Sequence, residues 1–257
     1  MMKVVILAGG FGTRLSEETL RIPKPMVKIG NMPILWHIMK VFSSQGFNEF
    51  IICLGYKSEI IKEFFLNFHT LNSDFTINLN NNEINYQNVK SENWKVSLID
   101  TGENTLTGGR ILKIKDQIDN KKFLLTYGDG LGNINLNKLI DSHNTSNKIC
   151  TVTAVSPPGR FGLLNIESDG KVSSFNEKPK NNNSHINGGF FICEPSIMKY
   201  IKNDNTSFEF SSLENLAKDK QLNSYKHDGF WKPMDTLRDK KELVNLWNSG
   251  KAPWKIW

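Results

Sequence analysis

The chain has 257 residues, of which 39% are hydrophobic and 23% charged, and its formal net charge is +6, a composition typical of a globular protein with a sizeable core. No apolar run approaches the roughly 20 residues that cross a bilayer, and the N-terminus lacks a basic stretch followed by an apolar one, so we expect a cytoplasmic protein without membrane contact. Its lysines are scattered rather than clustered in a stripe with aromatic residues, which argues against nucleic-acid binding and favours phosphorylated small molecules as partners.

The first part of the chain alternates between short apolar runs and amphipathic segments. In chain order, this pattern predicts strands over residues 4–7, 50–54, 96–99, 123–126 and 149–155, and helices over residues 34–44, 58–68 and 136–143. Such alternation is typical of an α/β protein with a doubly wound, mostly parallel sheet. Ligands of such sheets bind beyond the carboxyl ends of the strands.

After residue 155 the pattern changes to short alternating segments, over residues 161–166, 171–175 and 188–193. We expect antiparallel strands there, which complete the sheet and close over a site. A last helix is predicted over residues 236–249. The asparagine-rich stretch 78–88 fits either a hairpin lid or a solvated surface segment, and we favour the surface segment.

The first predicted strand leads directly into a glycine-rich segment, residues 9–14, and Lys24 follows ten residues after Arg14. Glycine lets the backbone approach a phosphate closely, the Arg14 guanidinium can bind phosphate oxygens in a fork, and Lys24 can add a point charge. A dinucleotide fingerprint is excluded because Leu15 stands where glycine or alanine is needed, and a P-loop because no Gly-Lys-Ser/Thr follows. A plain strand-to-helix turn that needs glycine is the alternative.

Two aspartates are candidate magnesium ligands. Asp129 directly follows the apolar strand predicted over 123–126 and lies between Gly128 and Gly130, so its carboxylate is expected to project from a strand end. Asp235 is the candidate for the second carboxylate, because two carboxylates together with substrate phosphates suit Mg²⁺. For Asp235, a helix N-cap is an equally good interpretation.

The three cysteines, Cys53, Cys150 and Cys193, each lie inside an apolar, strand-like run without CxxC or histidine-paired spacing. They are predicted to be core thiols in a reducing compartment rather than metal ligands.

Five motifs, in this order along the chain, resemble those of the sugar-1-phosphate nucleotidyltransferases: residues 7–15 (LAGGFGTRL), 23–26 (PKPM), 127–130 (YGDG), 175–179 (FNEKP) and 187–190 (NGGF). Further segments are similar to the branch of this family that uses CTP and glucose 1-phosphate, among them 34–39 (ILWHIM), 107–110 (TGGR) and 230–240 (FWKPMDTLRDK). The resemblance implies a single Rossmann-like domain over residues 1–257. Residues 1–155 would form its nucleotide-binding half, and residues 156–257 its sugar-phosphate-binding half with antiparallel strands.

Carried over position by position, the resemblance implies three groups of site residues. Those implied for the nucleotide are Leu7, Ala8, Gly9, Gly10, Phe11, Gly12, Thr13, Arg14, Lys24, Thr105, Arg110 and Gly128. Those implied for the sugar phosphate are Glu177, Lys178, Asn187 and Gly188. Asp129 and Asp235 match the family's metal-binding aspartates, and together with Arg14 and Lys24 they form the implied catalytic set.

The implied reaction is the Mg²⁺-dependent transfer of the cytidylyl group from CTP to α-D-glucose 1-phosphate, which gives CDP-glucose and pyrophosphate for surface-polysaccharide synthesis. The resemblance also implies a homo-oligomer, namely a hexamer. Another nucleotide or sugar phosphate remains an alternative, as does a regulatory subunit that binds sugar nucleotides without turnover.

Overall fold

The computed structural model describes residues 2–89, 91–156, 163–168, 171–176 and 185–257. The strands are β1 Val4–Leu7, β2 Lys28–Ile29, β3 Met32–Pro33, β4 Glu49–Leu54, β5 Asp74–Asn78, β6 Glu83–Gln87, β7 Lys95–Asp100, β8 Phe123–Tyr127, β9 Gly130–Gly132, β10 Cys150–Val155, β11 Leu163–Ile166, β12 Val172–Asn176, β13 Ile186–Cys193, β14 Leu222–His227 and β15 Trp231–Pro233. The α-helices are α1 Ser16–Thr19, α2 Ile34–Ser43, α3 Ser58–Leu66, α4 Phe68–Asn72, α5 Thr107–Lys113, α6 Leu136–Ser146, α7 Glu214–Lys218 and α8 Leu237–Asn248. Short 3₁₀ turns lie at Thr13–Leu15, Lys24–Met26, Lys115–Ile118 and Pro195–Tyr200, and a π-helix at Phe208–Leu213.

In the described part of the chain, the main sheet has seven strands in the order β14-β10-β13-β8-β1-β4-β7. β1 pairs in parallel with β4 and β8, and β4 pairs in parallel with β7. β13 runs antiparallel to both of its neighbours, β8 and β10, whereas β14 is parallel to β10. The prediction of a doubly wound, mostly parallel sheet with an antiparallel strand in the second half is therefore confirmed.

Both faces of the sheet are buried at β1, which explains why this strand is an uninterrupted apolar run rather than an alternating one. Val4 and Ile6 pack on one face with helices α2, α6 and α8. Val5 and Leu7 pack on the other face with α5 and the segment that follows β13. The strand ends are thereby held rigidly at the edge where the polar loops meet.

Helix α8 shows how local sequence sets an element's start. Thr236 is its N-cap and accepts a hydrogen bond from the Asp239 backbone N–H, while the Asp239 carboxylate accepts one from the Thr236 N–H. This capping box satisfies backbone donors at the start of the helix. The predicted helix over 236–249 is thus confirmed with its cap at Thr236.

Several elements differ from the sequence predictions. The asparagine-rich stretch forms the antiparallel β5–β6 hairpin, the alternative that the sequence analysis did not favour, and this hairpin is exposed, as expected for a solvated surface. Strand β14 was not predicted. It lies at the edge of the main sheet, and its polar sequence lacks the apolar alternation that indicates a strand. The β11–β12 pair forms a separate two-stranded sheet instead of completing the main one.

Among the described residues, we find no helix that is both long enough and apolar enough to span a bilayer.

Candidate active site

A cavity of about 680 Å³ lies beyond the carboxyl ends of β1 and β8. Strand β1 leads into the glycine-rich segment on one side, and β8 leads into Gly128-Asp129-Gly130 beside it. The walls are completed by residues 103–107, Arg110, residues 187–189, Glu209, Phe210, Trp231, Pro233 and Asp235. Because β1 and β8 are parallel neighbours, their loops meet at one edge, as the fold class predicts.

The end of β1 and the whole glycine-rich segment line the cavity, from Leu7 to Arg14. Gly12 has a φ of +66°, which favours glycine, and a Cβ there would lie 2.9 Å from the Thr19 methyl group. The Thr19 hydroxyl donates to the Gly12 carbonyl at 3.1 Å and fixes the turn. The chain continues into a short 3₁₀ turn rather than a long helix, so this is a backbone cradle without a strong helix dipole behind it.

A charged cluster at one side of the cavity joins two basic and two acidic side chains. Lys24 Nζ lies 2.6 Å from Asp129 Oδ2 and 2.7 Å from Asp235 Oδ1. Arg14 Nη1 lies 2.9 Å from Asp235 Oδ2. The Lys24 side chain is 10% exposed, whereas the Arg14 side chain is 76% exposed. The structure therefore brings together all four residues of the implied catalytic set.

The electrostatics of this cluster keep its members charged. Burial disfavours the charged form of Lys24, but the attraction and hydrogen bonds of Asp129 and Asp235 outweigh burial and raise the pKa of the lysine. Burial likewise acts to raise the pKa of Asp235, and the hydrogen bond and charge of Lys24, aided by Arg14, outweigh it and lower that pKa. The interaction between Lys24 and Asp235 thus favours the charged form of both side chains.

Pairing of β15 with β9 places the two aspartates side by side. Pro233 is paired with Gly130, and the Met234 backbone N–H donates to the Asp129 carbonyl at 2.9 Å. Asp235 lies immediately before the N-cap of α8, which is Thr236. The alternative interpretation of Asp235 as the N-cap is therefore wrong, and its carboxylate points instead at Lys24 and Arg14.

The donor set suits a divalent cation. Both carboxylates lie within hydrogen-bond distance of the same ammonium nitrogen, Lys24 Nζ, so they already converge on one positive charge. Among the described residues, no group of three or more His, Cys, Asp or Glu side chains could cage a metal. Two carboxylates that leave the remaining positions to water and phosphate oxygens match the preference of Mg²⁺.

Arg110 lines the cavity but is 3% exposed. Its Nη1 donates to the Leu54 carbonyl at 2.8 Å, the Thr101 hydroxyl at 2.7 Å and the Gly102 carbonyl at 2.8 Å. Its Nη2 donates to the carbonyls of Gly9 at 2.8 Å and Glu103 at 3.1 Å. The guanidinium therefore ties the glycine-rich segment to the loop that precedes α5.

Two glycines make room for this guanidinium. A Cβ on Gly55 would lie 2.5 Å from Arg110 Nη1, and a Cβ on Gly9 would overlap the same atom. Burial lowers the pKa of Arg110, partly offset by the nearby Cys53 and Asp100, yet an arginine remains protonated in proteins. The site thus contains a buried cation whose partners are mostly backbone carbonyls.

The other sequence-predicted residues fall into two groups. Thr105, Gly128, Asn187 and Gly188 line the cavity. The Gly188 carbonyl accepts a hydrogen bond from Trp231 Nε1 at 2.7 Å. Glu177 and Lys178, both predicted for the sugar phosphate, lie outside the described residues.

The side chains that line the cavity and that sequence reasoning missed include Tyr127, Glu209 and Trp231. Tyr127 and Trp231 stand inside motifs that were noted for their aspartates, so adjacency could have flagged them. Glu209 stands in a segment, SFEF, that carries no recognisable spacing. Only the fold brings it to the cavity.

Comparison with known proteins gives matches over nearly the full length of the chain. A family model described as nucleotidyl transferase matches residues 3–239. The chain is 51% identical over 257 residues to a glucose-1-phosphate cytidylyltransferase of Salmonella typhi, with all of both chains covered. It is 48% identical, also over the full length of both, to a probable glucose-1-phosphate cytidylyltransferase of Bacillus subtilis. Among solved structures, HddC from Yersinia pseudotuberculosis matches with a TM-score of 0.70 and 27% identity, covering 96% of this chain and 100% of that one.

Proposed function

The chain belongs to the nucleotidyl transferase family, and from this premise we propose that it transfers the cytidylyl group of CTP to α-D-glucose 1-phosphate, giving CDP-glucose and pyrophosphate. The observation that carries the proposal is the cluster of Arg14, Lys24, Asp129 and Asp235 beside a glycine-lined cavity. This arrangement places basic groups that can bind phosphate next to two carboxylates that would hold a divalent cation.

The chemistry requires no side-chain nucleophile. A phosphate oxygen of glucose 1-phosphate forms a new bond to the α-phosphorus of CTP, while the bond from that phosphorus to the oxygen bridging to the β-phosphate breaks. Pyrophosphate leaves with the electron pair of the broken bond. The attacking phosphate is already ionised at neutral pH, so no general base has to remove a proton. The protein contributes alignment of the two substrates and stabilisation of negative charge.

Each member of the charged cluster has a role in that alignment. Lys24 is held at the cavity by two carboxylates, so its ammonium is fixed in place before the triphosphate arrives. Most of the Arg14 side chain is exposed, and its fork suits non-bridging phosphate oxygens. We assign Lys24 to the phosphates around the reacting phosphorus and Arg14 to the outgoing pyrophosphate.

We further propose Mg²⁺ as the metal, held by Asp129 and Asp235. When bound, it supplies Lewis-acid neutralisation of phosphate charge. The four side chains of the cluster sum to zero charge by themselves, with two cations and two anions. A divalent cation therefore makes the site net positive, which suits a polyanionic substrate.

The base and sugar are assigned to opposite walls. The loop at 103–107 and the glycine-rich segment, joined by Arg110, would hold the cytosine and ribose. The walls around Asn187, Gly188 and Trp231 would hold the glucose phosphate.

We also propose that the protein is a homo-oligomer, a hexamer by family resemblance. The β5–β6 hairpin supports self-association because it exposes an apolar face. Its cross-strand pairs Phe75–Tyr86 and Ile77–Ile84 are each about 40% exposed, at 41%, 39%, 42% and 41% in that order. Paired apolar side chains left in solvent commonly mark an interaction surface. Size-exclusion chromatography with light scattering measures the molar mass of the eluting protein and tests this proposal. A monomeric wild type would refute it.

The decisive activity assay is pyrophosphate release with glucose 1-phosphate and Mg²⁺, run in parallel with CTP, UTP, dTTP and GTP. We expect CTP to be strongly preferred. Asp129→Asn keeps the shape of the side chain but removes its charge, and its turnover is expected to fall about 10²- to 10³-fold. Preference for another nucleotide would refute the cytidylyl assignment, and absence of turnover with all four would favour a regulatory subunit. A folded Asp129→Asn with wild-type turnover would remove Asp129 from the metal site.

A further inference from the structure

Glu209 lies in the wall of the cavity, on the π-helix Phe208–Leu213, and accepts hydrogen bonds from three hydroxyl groups. Tyr127 Oη donates to Oε1 at 2.6 Å. Thr107 Oγ1 and Ser207 Oγ donate to Oε2 at 2.6 Å and 2.9 Å. A single carboxylate thus connects the end of β8, the start of α5 and the segment after β13.

The hydrogen bond from Tyr127 has a defined direction. An ionised carboxylate can only accept a hydrogen bond, so the phenol donates its only proton to Glu209. Its oxygen keeps acceptor capacity, which receives the Asn187 Nδ2 at 3.3 Å.

Asn187 is oriented from its other side as well. Its Oδ1 accepts the Gly189 backbone N–H at 2.8 Å, so the two ends of the amide have different partners. Gly189 itself has a φ of +76°, and a Cβ there would lie 2.6 Å from the Tyr127 ring. The glycine thereby lets the aromatic ring pack close enough for the phenol to reach both Glu209 and Asn187.

We propose that Glu209 is a positioning residue for the sugar phosphate, acting through Tyr127 on Asn187. The inference rests on the proposed function, which places the sugar phosphate at the wall around Asn187 and Gly188. Glu209 fixes the phenol, the phenol fixes the amide of Asn187, and the amide presents a single orientation to the incoming substrate. A pre-oriented polar group binds more tightly because its rotamer need not be ordered on binding.

The test measures KM separately for each substrate, using the full-length protein with Mg²⁺. Tyr127→Phe removes only the hydroxyl of the relay, and Glu209→Ala removes its anchor. We expect both to raise the KM for glucose 1-phosphate about tenfold, the size of one lost hydrogen bond to a charged group. Tyr127→Phe leaves the bond from Thr107 to Glu209 in place, so in this variant the KM for CTP should change less than twofold. The double variant is expected to be no worse than the worse single variant, because both changes break the same path.

Two further variants make the test specific. Tyr200→Phe removes a comparable bond from a tyrosine to a carboxylate, that of Tyr200 Oη to Asp219 at 2.9 Å, at a surface away from the cavity, and should leave both KM values unchanged. Glu209→Gln retains an acceptor for the phenol and should recover most of the affinity for glucose 1-phosphate.

Wild-type turnover decides the proposed function independently of the relay. If the wild type is active but Tyr127→Phe leaves the KM for glucose 1-phosphate within twofold of the wild-type value, the inference is wrong. It is also wrong if Tyr127→Phe raises both KM values equally, because that pattern indicates a purely structural phenol. Should Glu209→Ala not fold, Tyr127→Phe and Glu209→Gln still decide the outcome.

Discussion

The substitution Arg110→Lys tests whether the buried guanidinium holds the two loops of the nucleotide side together. It keeps the positive charge but replaces the planar fork by a single ammonium group, which has three donors. In the described structure, the guanidinium reaches five acceptors, namely Gly9, Leu54, Thr101, Gly102 and Glu103. A lysine therefore leaves at least two of them unbonded.

The size of the expected loss in stability depends on which of these five acceptors have another hydrogen-bond donor. The Leu54 carbonyl also accepts the Thr101 backbone N–H and hydroxyl, and the Gly9 carbonyl accepts the Tyr56 N–H. Among the described residues, Arg110 is the only donor to the carbonyls of Gly102 and Glu103. A hydrogen bond to a charged group contributes about 1.5 kcal/mol at the lower end of the usual range. Losing two of them is therefore expected to lower the free energy of unfolding by about 3 kcal/mol.

Urea denaturation followed by tryptophan fluorescence measures this loss, and the KM for CTP measures the loosening of the loop. The matched control is Arg14→Lys, the same exchange at a side chain that is 76% exposed. Its free energy of unfolding should change by less than about 0.5 kcal/mol. If Arg110→Lys is as stable as Arg14→Lys, the buried guanidinium does not hold the loops and the reasoning fails.

Three further outcomes follow from the structure. Chelation of divalent metal should stop turnover but leave the thermal unfolding midpoint unchanged, because Lys24 already bridges Asp129 and Asp235; a lower midpoint would contradict this. Burial lowers the pKa of His37 to about 4, below its ordinary value near 6.5, so unfolding takes up a proton between these two pH values. The free energy of unfolding should therefore fall by about 2 kcal/mol from pH 7 to pH 5, and a His37→Gln variant with the same pH slope would refute the assignment. Cys53, Cys150 and Cys193 are buried, and burial raises the pKa of Cys53 to about 12, so Ellman's reagent should label these thiols only after unfolding; rapid labelling of the native protein would show that they are accessible.

The sequence was sufficient for elements whose pattern depends on local burial. Strand β1 was predicted with its observed bounds because both of its faces are apolar, and α8 because its cap and periodicity agree. The hairpin was misjudged since asparagine content masked the alternation of Phe75 and Ile77 on one strand with Ile84 and Tyr86 on the other. Composition describes a whole segment, whereas strand pairing depends on alternate positions.

Site residues divide in a similar way. Motif resemblance brought forward Asp129 and Asp235, and the structure brings both to Lys24. Arg110 could be assigned to the nucleotide by resemblance, but no sequence pattern reveals that backbone carbonyls surround it. Glu209 could not be found at all, because its partners Thr107 and Tyr127 are 102 and 82 residues away.

The close packing of Arg110 against Gly9 and Gly55 also restricts how this chain can evolve. Any side chain at either glycine collides with the guanidinium and also with the backbone of the other glycine. A Cβ on Gly55 would lie 2.6 Å from the Gly9 carbonyl oxygen, and a Cβ on Gly9 would lie 2.8 Å from the Gly55 backbone nitrogen, so replacing Arg110 would not make either glycine mutable. Laboratory evolution toward a new nucleotide is therefore expected to leave both glycines untouched, and saturation libraries should keep these two positions fixed.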